Sequence, residues 1–173
     1  MPDLSHFVAL TILLGLTLYA AVIDIRSMII PDLVNLAIFV FGLVASFLLG
    51  IVDPVSAIAG SALAGGLLFI VMTVFRAYRG YDGLGLGDVK FATAAATWTG
   101  IEGLAFALAL ASLSALIYFV VRQTFDSRFD SQHPIPFGPF LGLGATLVAG
   151  FQILTGFSMI DVVDAWLPRL GFS

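Results

Sequence analysis

The chain has 173 residues, of which 60% are hydrophobic and 10% charged, with a formal net charge of -4. Soluble domains average roughly 45–50% apolar residues, so this composition points to a chain dissolved in a lipid bilayer. The absence of cysteine excludes disulfides, thiolate nucleophiles and thiolate metal sites, and the seven scattered Lys and Arg form no basic stripe for nucleic acid.

Apolar runs measured against the roughly 20 residues needed to cross hydrocarbon predict spans near residues 5–25, 33–51, 54–75, 88–100, 102–121 and 136–157. The opening Met1-Pro-Asp-Leu-Ser-His6 has no positive region, so the first run is expected to be a retained span and not a removed signal peptide. Pro31 reads as a first-turn residue of the second span, with Asp32 favoured there by the helix dipole. The small residues of Ala57-Ile-Ala-Gly-Ser-Ala-Leu-Ala-Gly-Gly66 imply close helix contacts in the third. The short fourth span, with Phe91-Ala-Thr-Ala-Ala-Ala-Thr-Trp98, reads as a helix packed among other helices, and the chain turns between Gly100 and Gly103. The expected fold is an all-α polytopic membrane protein of about six transmembrane helices. Its membrane domain covers residues 1–157, and a tail over 158–173 carries Val162, Val163, Trp166 and Leu167 as a short interfacial helix.

Orientation follows from the cations. Arg26 follows span one, Arg76, Arg79 and Lys90 surround the link from three to four, and Arg122 and Arg128 follow five, whereas the other side holds Arg169 alone. Six cations against one predict that both termini lie outside the cytoplasm. The same assignment places Asp24 and Asp88, on different spans, together at the cytoplasmic edge.

Those two aspartates are the candidate catalytic residues. A carboxylate beside hydrocarbon is costly unless paired, hydrated or protonated, and two carboxyls sharing one proton can attack a peptide bond by acid and base catalysis. Asp88 ends the glycine-rich Tyr81-Asp-Gly-Leu-Gly-Leu-Gly-Asp88. The bland reading is a helix N-cap; the functional one adds that Gly85 and Gly87 permit unusual backbone conformations and the close approach of an extended substrate. For Asp24 the bland reading is a residue marking the span end, paired with Arg26. Helix direction gives Asp88, at a positive N-terminal end, the role of base and Asp24 that of acid, strengthened if Lys90 folds back toward Asp88. Asn35 is a candidate for a bond across helices. The segment His133-Pro-Ile-Pro-Phe-Gly-Pro-Phe-Leu-Gly-Leu-Gly144 is either a stiff helix start with a small-residue packing face or a non-helical entry lining the active cavity. His133 reads as a loop residue, and His6 lies on the opposite face, so zinc is not expected.

Together these segments resemble the type IV prepilin peptidases, a branch of the Gly-x-Gly-Asp membrane aspartyl proteases. The resemblance rests on Asp24 followed by Ile30-Pro31-Asp32, then Gly85-Leu86-Gly87-Asp88-Val89-Lys90, then Ile135-Pro136-Phe137-Gly138-Pro139-Phe140. It implies Asp24 and Asp88 as the catalytic pair, with Gly85, Gly87, Lys90, Arg26, Pro31, Asp32, Pro136, Gly138 and Pro139 in support. It also implies leader cleavage after a glycine, from prepilin or pseudopilin precursors, at the cytoplasmic face of a bacterial inner membrane, with no cofactor. Longer members carry a Cys-x-x-Cys zinc region associated with N-methylation; this cysteine-free chain resembles the short peptidase-only forms of tight-adherence (Flp) pilus systems. A small proton-coupled transporter or channel is the alternative, but that class predicts acids near the bilayer midplane. A structural partner in pilus assembly would explain the spans and not the aspartates.

Overall fold

The computed structural model describes residues 2–81, 83–125 and 135–167. Six helices follow in order: α1 (Leu4–Ser27), α2 (Asp32–Leu49), α3 (Pro54–Arg79), α4 (Leu86–Phe125), α5 (Gly138–Thr155) and the short α6 (Met159–Trp166). Five of them are long and apolar enough to cross a membrane. Most of their large hydrophobic side chains point outward, as Leu18, Phe47, Ile70 and Leu116 do; in a bilayer, lipid is the solvent for such a surface.

The sequence predicts separate spans at 88–100 and 102–121, and the 40 residues of α4 contain both, meeting at a non-helical residue. Straight, such a helix would be about 60 Å long, twice the hydrocarbon thickness of roughly 30 Å. It is broken at Gly100, whose φ of 65° and ψ of -179° are not helical and suit glycine alone; Gly103 is already helical. The limbs 86–99 and 101–125 run antiparallel, as their partners on α5 reveal. In the first limb Thr99 accepts a hydrogen bond from Gln152 Nε2 (3.2 Å) late in α5, and Asp88 lies at the end where α5 begins. In the second, Gly103 abuts Val148 and Gln152, Gly144 abuts Ala107, and the Tyr118 and Phe140 rings meet at a tilt of 52° with centroids 5.5 Å apart. Gln152 thus also satisfies a carbonyl that the break frees.

The first limb is the buried axis of the bundle, with Phe91, Ala92 and 94–100 all buried. It is tied to α2 by Trp98 Nε1 donating to the Ile38 carbonyl (2.8 Å) and Ser46 Oγ to that of Thr97 (3.1 Å). The small residues of α3 let it approach equally closely: a Cβ on Gly60 would stand 2.6 Å from the Gly100 carbonyl carbon, and one on Gly65 2.7 Å from Thr93 Oγ1. Backbones meet where side chains are small, which is how helices gain dispersion contacts when lipid offers no hydrophobic drive.

Gly144→Ala places a methyl against the Ala107 carbonyl, backbone that cannot rotate away, and is expected to cost about 1–3 kcal/mol through overpacking. Gly66→Ala meets nothing within 4 Å and is expected to gain up to about 1 kcal/mol of helix propensity. Thermal unfolding in one detergent measures both; equal melting temperatures would contradict the packing described.

At the α1–α2 turn, Pro31 is the N-cap of α2 (φ -62°, ψ 135°) and Asp32 its first residue, one position later than the sequence suggests. Asn35 makes no bond across helices: it is 5% exposed, and neither its Nδ2 nor its Oδ1 has a hydrogen-bond partner among the described residues. The C-terminal α6 is capped by Ser158 and buries Met159 against Ala107 and Val148.

Candidate active site

Asp24 lies one turn before the end of α1, where its carbonyl accepts the N–H of the left-handed C-cap Met28 (2.8 Å). Its side chain is 4% exposed, and its Oδ2 accepts the N–H of Gly138 at 2.9 Å. Gly138 is the first residue of α5, and its amide is one of the donors that every helix start leaves unpaired. The carboxylate of α1 therefore satisfies the start of α5.

Asp88 is not an N-cap. The Gly85 carbonyl accepts from Asp88 and Val89 (3.1 and 3.3 Å), so Gly85 caps α4 and Asp88 is its third residue. From there its Oδ2 accepts the Gly85 N–H at 3.2 Å, half of a capping box. Neither Gly85 nor Gly87 has a positive φ, so neither supplies an unusual backbone, and only Gly85 is in a tight contact. A Cβ on Gly85 would lie 3.1 Å from Asp88 Oδ2, and one on Gly87 3.6 Å from the Ile30 amide nitrogen.

Asp24 and Asp88, far apart in sequence, line one cavity of about 270 Å³ with Ile30, Asp32, Gly85, Gly87 and Lys90. Their carboxyls lie within electrostatic reach of one another. Each accepts one backbone N–H, so hydrogen bonding does not distinguish an acid from a base. Lys90 does not fold back on Asp88: its Nζ bonds Asp32 Oδ1 at 2.7 Å, joining α2 to α4 across the cavity mouth. Arg26, exposed in the last turn of α1, makes no ion pair with Asp24 among the described residues.

Residues 135–137 enter α5 without helical structure, and Pro136, half-buried, lies in that entry. Pro139 follows Gly138 in the first turn of α5, where its missing N–H is no loss. His133 and Arg128 lie outside the described residues. His6 is at the opposite end of the bundle, in a separate cavity of about 280 Å³ shared with Asp53, Glu102 and Asp161. No three His, Cys, Asp or Glu side chains among the described residues are grouped to hold a metal ion.

Two contacts are not foreseen from the sequence. One is the Gly138 amide on Asp24, for which the only local signal is that Pro139 lies just inside a helix start. The other is Ile30, fully apolar and 4% exposed, lodged between Gly87 and Gly138.

A family model described as the type IV leader peptidase family matches residues 11–120, which contain both aspartates. The chain is 34% identical over 131 residues to a prepilin leader peptidase/N-methyltransferase of Escherichia coli (strain K12), covering 76% of this chain and 57% of that protein. It is 32% identical over 160 residues to one of Pectobacterium carotovorum, 92% and 55% respectively, and 34% identical over 139 residues to one of Burkholderia pseudomallei (strain K96243), 78% and 44%. The chain thus spans about half the length of the curated relatives it matches. No solved structure matches it.

Proposed function

The chain belongs to the type IV leader peptidase family, and we propose that it is an aspartic endopeptidase that removes the leader from prepilin-like precursors at the cytoplasmic face of a bacterial inner membrane. The observation that carries this reading is the convergence of Asp24 and Asp88 on one cavity at one end of the bundle. The relatives' names join peptide cleavage to N-methylation; the aspartate pair accounts for cleavage, and the proposal is confined to it.

The chemistry follows from two carboxyls holding one proton. The ionised member takes a proton from water as the water oxygen bonds to the scissile carbonyl carbon, while the protonated member gives its proton to the carbonyl oxygen. The resulting diol collapses: one hydroxyl returns a proton to the second carboxyl, the C–N bond breaks, and the first carboxyl protonates the leaving amine. One carboxyl is again ionised and the other protonated, so a further turnover needs only water and substrate.

Incubation of the purified protein with membranes containing candidate prepilins, followed by sequencing of new N-termini, tests the activity. A shortened precursor with a single new terminus is expected, and intact precursors throughout would overturn the reading. The cytoplasmic placement is supported by Arg26, Arg76, Arg79, Lys90 and Arg122, which all lie toward the aspartate end of the helices. Because the chain lacks cysteine, Ser27→Cys and Thr155→Cys, exposed at opposite ends, give a clean test. An impermeant maleimide added to cells with a permeable outer membrane is expected to label Thr155→Cys alone, and Ser27→Cys only after the inner membrane is opened. Labelling of both from one side would refute the orientation.

A further inference from the structure

The floor of the aspartate cavity between the two carboxyls includes Ile30. Ile30 lies in the turn between α1 and α2, is 4% exposed, and turns what surface remains toward the cavity. A Cβ on Gly138, whose amide holds Asp24, would fall 2.9 Å from Ile30 Cδ1. A Cβ on Gly87, the neighbour of Asp88, would fall 3.7 Å from Ile30 Cβ. The side chain therefore bridges the glycine beside one carboxyl and the glycine beside the other; a Cβ on Gly138 would displace it, whereas one on Gly87 would only touch it. Behind it lie core residues such as Val34 and Phe91, with Phe137 packed against them, so its position is set by close packing.

Any peptide carbonyl presented to both carboxyls must lay its backbone across this floor. The residue that contributes that carbonyl has its α-carbon bonded to the carbon under attack, so of the whole substrate it comes nearest to Ile30. We propose that Ile30 is a specificity-determining residue: it closes the subsite for the residue on the amino side of the scissile bond, so that a residue without a side chain fits and a larger one does not. This rests on the peptidase reading above. Ile30 takes no part in proton transfer; it acts by excluded volume, and one methyl group rejected by a well-packed site changes kcat/KM by roughly 10- to 200-fold.

The test is a panel of prepilin substrates carrying Gly, Ala or Val at that position, each cleaved by the same enzyme preparation, with the ratio of kcat/KM values as the readout. The native enzyme is expected to favour Gly over Ala by about tenfold or more. In Ile30→Ala the preference is expected to fall to within about threefold, chiefly because cleavage of the Ala substrate rises relative to Gly. Should Ile30→Ala fail to insert, Ile30→Val, which removes one methyl, is expected to reduce the preference part-way. A ratio that stays at the native value in the folded variant while both rates fall together marks Ile30 as merely structural and overturns the inference, as does a native enzyme indifferent to Gly or Ala. Failure of the native protein to cleave any member would instead overturn the peptidase reading itself, and this inference with it.

Discussion

Asp24→Asn and Asp88→Asn are each expected to lower leader cleavage by 10²- to 10⁴-fold or more, on the order of what positioned acid or base groups contribute, while the protein still inserts and unfolds at nearly its native temperature. A carboxamide has nearly the shape of a carboxyl and can still accept the Gly138 or Gly85 N–H, so the hydrogen bonds at 2.9 and 3.2 Å survive. What it cannot do is take up or release the proton. Since the two groups work as one unit, the double variant should be no slower than the worse single one. Asp32→Asn is the control. It lines the same cavity and breaks the ion pair to Lys90, but the two side chains are 75% and 44% exposed, and pairs so exposed are worth about 0–1 kcal/mol; the expected loss of rate is therefore less than about tenfold. Substantial processing by either of the first two variants, or an equal loss in all three, would remove the pair from the chemistry.

Gly138→Ala is expected to reduce kcat by on the order of 100-fold, the effect of displacing a reacting group by about 1 Å, without deleting any functional group. The variant keeps the N–H that holds Asp24. Its new methyl, however, would stand 2.8 Å from Asp24 Oδ2 and 2.9 Å from Ile30 Cδ1, so the carboxyl and the floor must both give way. The matched control on the same helix is Gly150→Ala, whose methyl meets only Leu10 carbons at 3.6 Å or more and which is expected to cleave at the native rate. Single-turnover rates with saturating substrate separate this loss from weaker binding. Native kcat in Gly138→Ala would mean that the position of Asp24 is not set by α5.

These expectations depend unequally on what can be read along the chain. That the helices cross a membrane, roughly where they begin and end, and that Asp24 and Asp88 lie at span ends are all legible from the sequence, because hydrophobicity and helix-breaking residues are properties of consecutive positions. Pro31 and Gly100 are off by little for the same reason: a cap or a break is local, and only its register, to a residue or so, depends on what packs outside it. Partnership is another matter. Lys90 is two residues from Asp88 and bonds Asp32, 58 positions away; Arg26 is two residues from Asp24, yet Asp24 is held by Gly138, 114 positions away. Asn35, polar and inward, finds no partner at all among the described residues. Nor does Ile30 announce itself, being one isoleucine among many in an apolar chain until Gly87 and Gly138 are seen against it. The sequence by itself determined the solvent of this protein and the two carboxyls that must be answered for in it. Which groups answer for them was decided only by the close approach of helices across their small residues, since a hydrogen bond or a steric contact is set by distances of a few ångströms between segments that no local pattern relates.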